Sequence, residues 1–310
     1  MYPDSYIPQR LVKHFRGELT AKEHLGFIVS SDFKCGETFG YPFFLRSCAK
    51  PLQASLIIDN DLDFSVEEIA LCCASHAGED CHVKLAESLL NKIGIDKSKL
   101  KCGLHRPLSQ TADKNLMLSG QNETVFHNNC VGKHIMMLAI CKQNGWDIDT
   151  YYEESHPLQQ AIKDKIYDLC EVVEDYPITK DGCGVPIHSM PLENMLKGYL
   201  NLFTSTRYEK IKKAFLEYPY IIGGENRLDT RIMENSENLI AKVGADGLCI
   251  VINIEKADGI VVKILDGDMK AREVTTLSLL KKMYWANIPY ESAIKTLHCE
   301  EVGLIKFVGV

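Results

Sequence analysis

The sequence predicts a mixed α/β fold of the α+β kind, with an antiparallel-rich sheet covered by helices. Three observations predict it. Short runs of bulky and β-branched residues lie near the start of the chain, three more such runs are clustered between Leu239 and Asp268, and helix-like segments fill the stretch between them. Strands at both ends imply one sheet built from both terminal regions and wrapped by the middle of the chain. No internal repeat, low-complexity linker or composition shift divides the sequence, so residues 1–310 read as a single domain.

Taken in order, LGFIVSSD (Leu25 to Asp32) and YPFFLRS (Tyr41 to Ser47) are strand-like, because their bulky residues sit in runs bounded by polar turns. A helix follows from about Ser47 into the 50s. Ser65-Val66-Glu67-Glu68 is a capping box, in which the Ser oxygen and the Glu side chain satisfy orphan amides and open a helix through Ile69 and Cys73. Helices from about Asp80 to Lys92 and from Gly132 to Asn144 stop near Gly94 and at Gly145, since glycine takes the left-handed closing conformation without a Cβ penalty. Amphipathic segments follow at Pro157 to Val172, Leu192 to Phe203 and Ser205 to Leu216. LIAKVG, GLCIVIN and GIVVKILDGD then predict three adjacent strands, with Gly247 and Asp258-Gly259 as turn signals. A last helix, Arg272 to Asn287, returns to cover them.

Composition narrows the class. With 45% hydrophobic and 25% charged residues over 310 positions, the chain can bury a large core, which excludes disordered and fibrous classes. Lys+Arg number 35 against 42 Asp+Glu, and a net charge of -7 lacks the basic excess of a nucleic-acid binder, so no nucleic-acid partner is expected. MYPDSYIPQRLVKHFRG has no signal-peptide core, and the longest apolar stretches, such as Leu248 to Ile254, are strand-sized. A soluble, unprocessed protein without a membrane partner is therefore expected. The 12 cysteines form no C-x-x-C pair and are too few for a stapled secreted scaffold, which favours reduced thiols in a cytoplasmic protein.

Three clusters offer chemistry. Ser47-Cys48-Ala49-Lys50 places a hydroxyl and an amine three residues apart on one helical face, where the amine can deprotonate the serine. The lysine must first fall from about 10.4 towards neutrality through burial and nearby cations, Arg46 among them. Ser31/Lys34, Ser98/Lys101, Ser278/Lys281 and Ser292/Lys295 share the spacing, but only Ser47 follows an apolar strand-like run and opens a helix. The plainer alternative is a helix-capping serine with a solvated lysine. The second cluster, Ser75-His76 within CASHAGE, is either a pair presented to a cleft or a histidine at a helix C-terminus. The third joins Asn128 to His134 with Asp181 to Gly184. Its Cys130, His134 and Cys183 are suitable donors for zinc, although their spacing matches no common zinc motif and buried, unliganded thiols are the alternative.

Read together, the segments resemble the thermolabile, rhizobial-type L-asparaginase family, also called asparaginase II. The resemblance rests on ordered motifs: Arg46-Ser47-Cys48-Ala49-Lys50-Pro51-Leu52-Gln53, Ser75-His76-Ala77-Gly78-Glu79, Cys102-Gly103-Leu104-His105-Arg106-Pro107, Asn129-Cys130-Val131-Gly132-Lys133-His134, Asp181-Gly182-Cys183-Gly184-Val185-Pro186, Arg227-Leu228-Asp229-Thr230 and Gly259 to Gly267. Each is ordinary alone; their shared order is specific.

The resemblance implies a fold similar to the serine β-lactamases and glutaminases, and hydrolysis of L-asparagine to L-aspartate and ammonia. It implies two Ser/Lys pairs, Ser47 with Lys50 and Ser75 with Lys263, and zinc held by Cys130, Lys133 and Cys183. Arg46, His76, Lys133 and Asp181 are expected to bind a small zwitterionic amino acid, and a homodimer is expected from the commonness of two-fold assemblies. Where residues alone point to His134 as the third zinc donor, the resemblance points to Lys133. The chain also departs from the family's N-terminal pattern, with Ala21-Lys22 in place of a Glu-Ser pair and Leu25 in place of an Arg, which bears on substrate preference. L-glutamine or another amide is the alternative substrate, and a zinc- or amino-acid-binding relative without turnover is the non-enzymatic alternative.

Overall fold

In the computed structural model, which describes residues 6–309, both ends of the chain contribute to one sheet. Strands β1 (Gln9–Arg16), β2 (Leu19–Ser30) and β3 (Lys34–Cys35) come first, and β4 (Phe43–Phe44), β5 (Ile178–Lys180) and β6 (Pro186–Met190) stand apart. The chain then lays down β7 (Leu239–Val243), β8 (Leu248–Asn253), β9 (Asp258–Ile264), β10 (Ala293–Lys295) and β11 (Glu301–Phe307). The main sheet runs β10-β11-β1-β2-β9-β8-β7, with β3 on β2, and every pairing in it is antiparallel. A small second sheet has the order β4-β6-β5.

Eleven α-helices among the described residues complete the fold. They are α1 (Lys50–Asp59), α2 (Val66–Cys73), α3 (Asp80–Ile93), α4 (Gln110–Leu118), α5 (Val131–Asn144), α6 (Pro157–Leu169), α7 (Leu192–Thr204), α8 (Glu209–Glu217), α9 (Pro219–Ile222), α10 (Leu228–Glu234) and α11 (Met269–Lys282). Helices α7 and α11 both pack on β8 and β9. In β8 every residue is buried, and in β9 all but the first. Coverage on both faces explains why these strands read as continuous apolar runs instead of alternating ones. None of the described helices is long and apolar enough to cross a membrane.

Local chemistry accounts for the element ends. Ser65 Oγ accepts the Glu68 N–H at 3.2 Å and the Ser65 N–H donates to Glu68 Oε2 at 2.7 Å, so the capping box is complete. Gly94 and Gly145 close α3 and α5 with φ of +63° and +67°. The Asp246-Gly247 turn between β7 and β8 has positive φ at both residues, as a tight hairpin requires.

Other expectations are corrected. Asp258 and Gly259 lie inside β9, and the turn before them is residues 254–257, where Ala257 takes the positive φ. Gly259 serves packing instead, since a Cβ there would come within 2.7 Å of Leu196 Cδ1. Of Tyr41 to Ser47 only Phe43–Phe44 is strand, and it joins the small sheet. The last helix stops at Lys282 because Tyr284 turns left-handed. Strands β1, β10 and β11 were not anticipated: they lie at or near the sheet edge, and the polar residues on their exposed sides hide the apolar signal.

The contact between α2 and α5 bears most directly on the site. A Cβ on Gly132 would lie 2.0 Å from Leu71 O, so only glycine lets the start of α5 approach α2. Gly132→Ala should destabilise the fold by about 3 kcal/mol, as overpacking of a tight contact does; a urea-unfolding midpoint close to that of the unmodified protein would show that the contact yields.

Candidate active site

The site starts at a strained residue. Arg46 has φ of +47°, a conformation that costs a non-glycine side chain about 1 kcal/mol or more. Two carboxylates engage its guanidinium, Asp246 Oδ2 at 2.8 Å and Asp181 Oδ1 at 3.1 Å. The 3-10 turn Arg46–Ala49 follows and leads straight into α1. It lies against β7 at Gly244, where a Cβ would sit 3.2 Å from Cys48 Sγ and 3.3 Å from Leu45 O. Ser47 is half-buried on this turn.

Lys50, the first residue of α1, is fully buried. Its Nζ donates to Ala74 O at 2.7 Å and to Asn129 O at 2.8 Å, and among the described residues it makes no hydrogen bond to Ser47 Oγ. Catalytic contacts of this kind often tighten only with substrate bound. Burial pushes the Lys50 amine down to about 8, with Lys133 and Lys242 adding repulsion and Cys130 and Cys183 opposing it. The expectation of a buried, depressed amine is met, but the cations that assist are Lys133 and Lys242, not Arg46 or Lys263.

Ser75 sits just past the end of α2, with its N–H bonded to Ile222 O at 3.0 Å. Asn129 Nδ2 donates to Ser75 Oγ at 2.9 Å. One residue, Asn129, therefore touches both the Lys50 amine, through its carbonyl, and the Ser75 hydroxyl, through its amide. His76 is fully buried and its Nδ1 accepts the Gly78 N–H at 3.1 Å, which leaves the proton of the neutral ring on Nε2. That Nε2 is buried without a partner among the described residues. Burial, then His82 and Lys50, hold the imidazole well below its ordinary range.

Beside this lies the thiol cluster. Donor atoms of Cys130, Asp181 and Cys183 all fall within 4.8 Å of one another. Lys133 Nζ is 3.8 Å from Asp181 Oδ2, and Asp181 in turn holds Arg46. Cys130 hydrogen-bonds to Cys183 and, with Lys133 nearby, holds the Cys183 thiol down as thiolate. Burial works against charge on Lys133, yet Cys183, Cys130 and Asp181 together keep it protonated. Two sulfurs and a carboxylate converging in a buried pocket are a donor set that suits zinc. His134 is not part of it: its Nδ1 is bound to Tyr151 Oη at 2.6 Å and its ring nitrogens lie outside the cluster, where Asp181 is the third close donor.

Lys263 lies elsewhere. Its Nζ donates to Asp246 O and Ile264 O, both at 2.6 Å, and faces the Phe43 ring at 5.8 Å; no contact among the described residues joins it to Ser75. Besides Lys133, the buried amine that acts on Lys50 is Lys242 on β7, fully buried, 3.3 Å from Asp229 Oδ2. A lysine inside the apolar run LIAKV, followed by a glycine that admits the Ser47 turn, was the available signal for it. Cys249 is buried in β8. The N-terminal departures lie together: Lys22 pairs with Asp268 at 3.1 Å and His24 Nδ1 with Asp266 Oδ2 at 2.7 Å.

A half-buried serine on a strained turn, a fully buried amine of lowered pKa and a second serine held by an amide are the equipment of a hydrolase that uses an amine as its base. The chain belongs to the L-asparaginase II family, whose model matches residues 12–304, and it is accordingly an amidohydrolase. No curated protein matches it in sequence. A solved β-lactamase structure from Mycobacterium bovis is similar to it at 11% identity over 91% of this chain and 96% of that one, with a TM-score of 0.41, too distant a likeness to speak to activity.

The low pKa of Lys50 also links stability to pH. Between about 8 and the ordinary 10.5 the unfolded chain holds the proton that the folded one has released, so stability rises with pH across this window. The stability of the unmodified protein relative to Lys50→Met should grow by about 3 kcal/mol over it. A difference that stays flat with pH in denaturant titrations would place the amine's pKa at its ordinary value.

Proposed function

We propose that the protein is an L-asparaginase, with Ser47 as nucleophile and Lys50 as its base. The observation that carries this reading is the fully buried Lys50 amine, brought down to about 8 and standing three residues beyond Ser47, one helical turn away. Ser47 Oγ attacks the side-chain amide carbon, and its proton passes to the neutral Lys50 amine. Ser75, oriented by Asn129, relays a proton to the departing nitrogen, and ammonia leaves an acyl-Ser47 ester. Water activated by the same amine then releases L-aspartate. Lys242 takes the place expected for Lys263, because its field, after that of Lys133, reaches Lys50.

Arg46, Asp181 and Lys133 support recognition of an amino acid, since they offer both charges at one place, and the His76 Nε2–H supplies a buried donor in search of an acceptor. Cys130 and Cys183, with Asp181 or Lys133, would hold zinc. Zinc would supply a Lewis acid beside the pocket and a tie between the start of α5 and the Asp181 loop.

Ammonia release should be measured on L-asparagine, L-glutamine and D-asparagine. L-Asparagine should be the preferred substrate, with Ser47→Ala at least about a hundredfold slower; near-normal turnover by that variant would remove Ser47 from the mechanism, and faster release from L-glutamine would reassign the substrate. Because the neutral amine is the active form, kcat/KM should rise with pH through a limb near 8. Elemental analysis should find zinc in the purified protein and little in Cys183→Ser; equal metal in both would show that Cys183 is not a ligand.

A further inference from the structure

The residues around Lys242 do more than bury it. Asp229 is fully buried, and its Oδ2 lies 3.3 Å from Lys242 Nζ and accepts the Val243 N–H at 3.3 Å. Its Oδ1 accepts the Thr230 N–H at 3.3 Å. A carboxylate tied to the backbone on both oxygens is fixed in place, and the ammonium it holds is fixed with it. The same segment pins the second serine, since Ile222 O, just ahead of it, accepts the Ser75 N–H at 3.0 Å. Gly223 permits the arrangement: a Cβ there would lie 2.8 Å from Asp229 Oδ1 and 2.4 Å from Thr230 Oγ1.

We infer that Asp229 is a positioning residue that holds Lys242 as a charged, immobile ammonium and so divides the work between two of the buried amines, Lys242 a fixed cation and Lys50 the base. This rests on the reading of Lys242 given above. The charged and titratable groups around the pair are Arg227 and Arg272 on the Asp229 side, and Cys48, Cys73, Cys249 and Lys50 on the Lys242 side. Asp229 is the only carboxylate among them. Lys50 has no carboxylate bonded to it, only two carbonyls, and that asymmetry is what lets one lysine remain charged while the other gives up its proton.

The test is a double-mutant cycle on Asp229→Asn and Lys242→Met, with kcat and KM measured on L-asparagine and L-glutamine and melting temperature measured alongside. If Asp229 acts through Lys242, each single variant loses about a hundredfold in kcat with KM changed less than about threefold, and the double variant is no slower than Lys242→Met. The double variant should also melt above Asp229→Asn, because it buries no unpaired charge. If Asp229→Asn fails to fold, the comparison of the double variant with Lys242→Met still decides, since equal kcat is required. Losses that multiply, or a loss confined to KM, would overturn the inference. A folded Asp229→Asn with normal kcat beside a slow Lys242→Met would overturn it alone, whereas normal kcat in Lys242→Met would overturn the reading of Lys242 and the inference with it.

Discussion

The rest of the site depends on where the Lys50 ammonium or amine can put its protons. Fully buried at the start of α1, it finds two carbonyls, one ending α2 and one just before α5. A buried nitrogen without partners costs several kcal/mol, so these two bonds are structural necessities as well as chemical ones. They draw the Ser75 turn and the Asn129-Cys130 turn onto one point. Everything used for chemistry then lies within a side chain's reach of that point: Ser47 on the turn leading into α1, Ser75 past Ala74, and Cys130 and Lys133 at the start of α5.

Charge in this buried volume is arranged so that no group stands isolated. Asp181 lies between Arg46 and Lys133, Cys183 between Cys130 and Lys133, and Lys242 against Asp229. Lys50 is the exception, bonded to neutral acceptors only. In low dielectric a paired ion keeps its charge and an unpaired one sheds it, so the pattern of pairing decides which amine gives up its proton most readily. Arg46 shows what this arrangement demands of the backbone, since the left-handed φ ahead of Ser47 presents a side chain that two carboxylates hold.

Much of the scaffold was legible because it follows from local rules. The Ser65 capping box, the left-handed Gly94 and Gly145, and the three-strand run from Leu239 to Asp268 each depend on neighbours in sequence. What failed depends on distant partners. Gly259 looks like a turn residue until Leu196 is seen against it, and β11 looks like loop until β1 supplies its hydrogen bonds. The site divides in the same way. Ser47 and Lys50 are three residues apart and were found by spacing, and the thiols were found by softness, but the group that comes closest to the two sulfurs is Asp181 where softness favoured His134. His134 instead turns its Nδ1 to Tyr151 Oη, and its ring lies outside the cluster of donor atoms.

Lys242 and Lys263 show the limit most clearly, because both are lysines in apolar strands two apart in the sheet. Alternation along a strand tells which face a residue occupies, but in β7 every residue is buried and in β9 all but the first, so burial gives no preference. The difference lies at the end of each side chain. Lys263 reaches the carbonyls around the Asp246-Gly247 hairpin, where backbone acceptors satisfy it without any other ion nearby but Asp246 and Asp266. Lys242 lies on the edge strand next to the Ser47 turn, with Gly244 clearing the approach and Asp229 arriving from α10 to neutralise it. One helix and a glycine, the first distant in sequence and the second silent in pattern, therefore determine which strand lysine lies against the Ser47 turn.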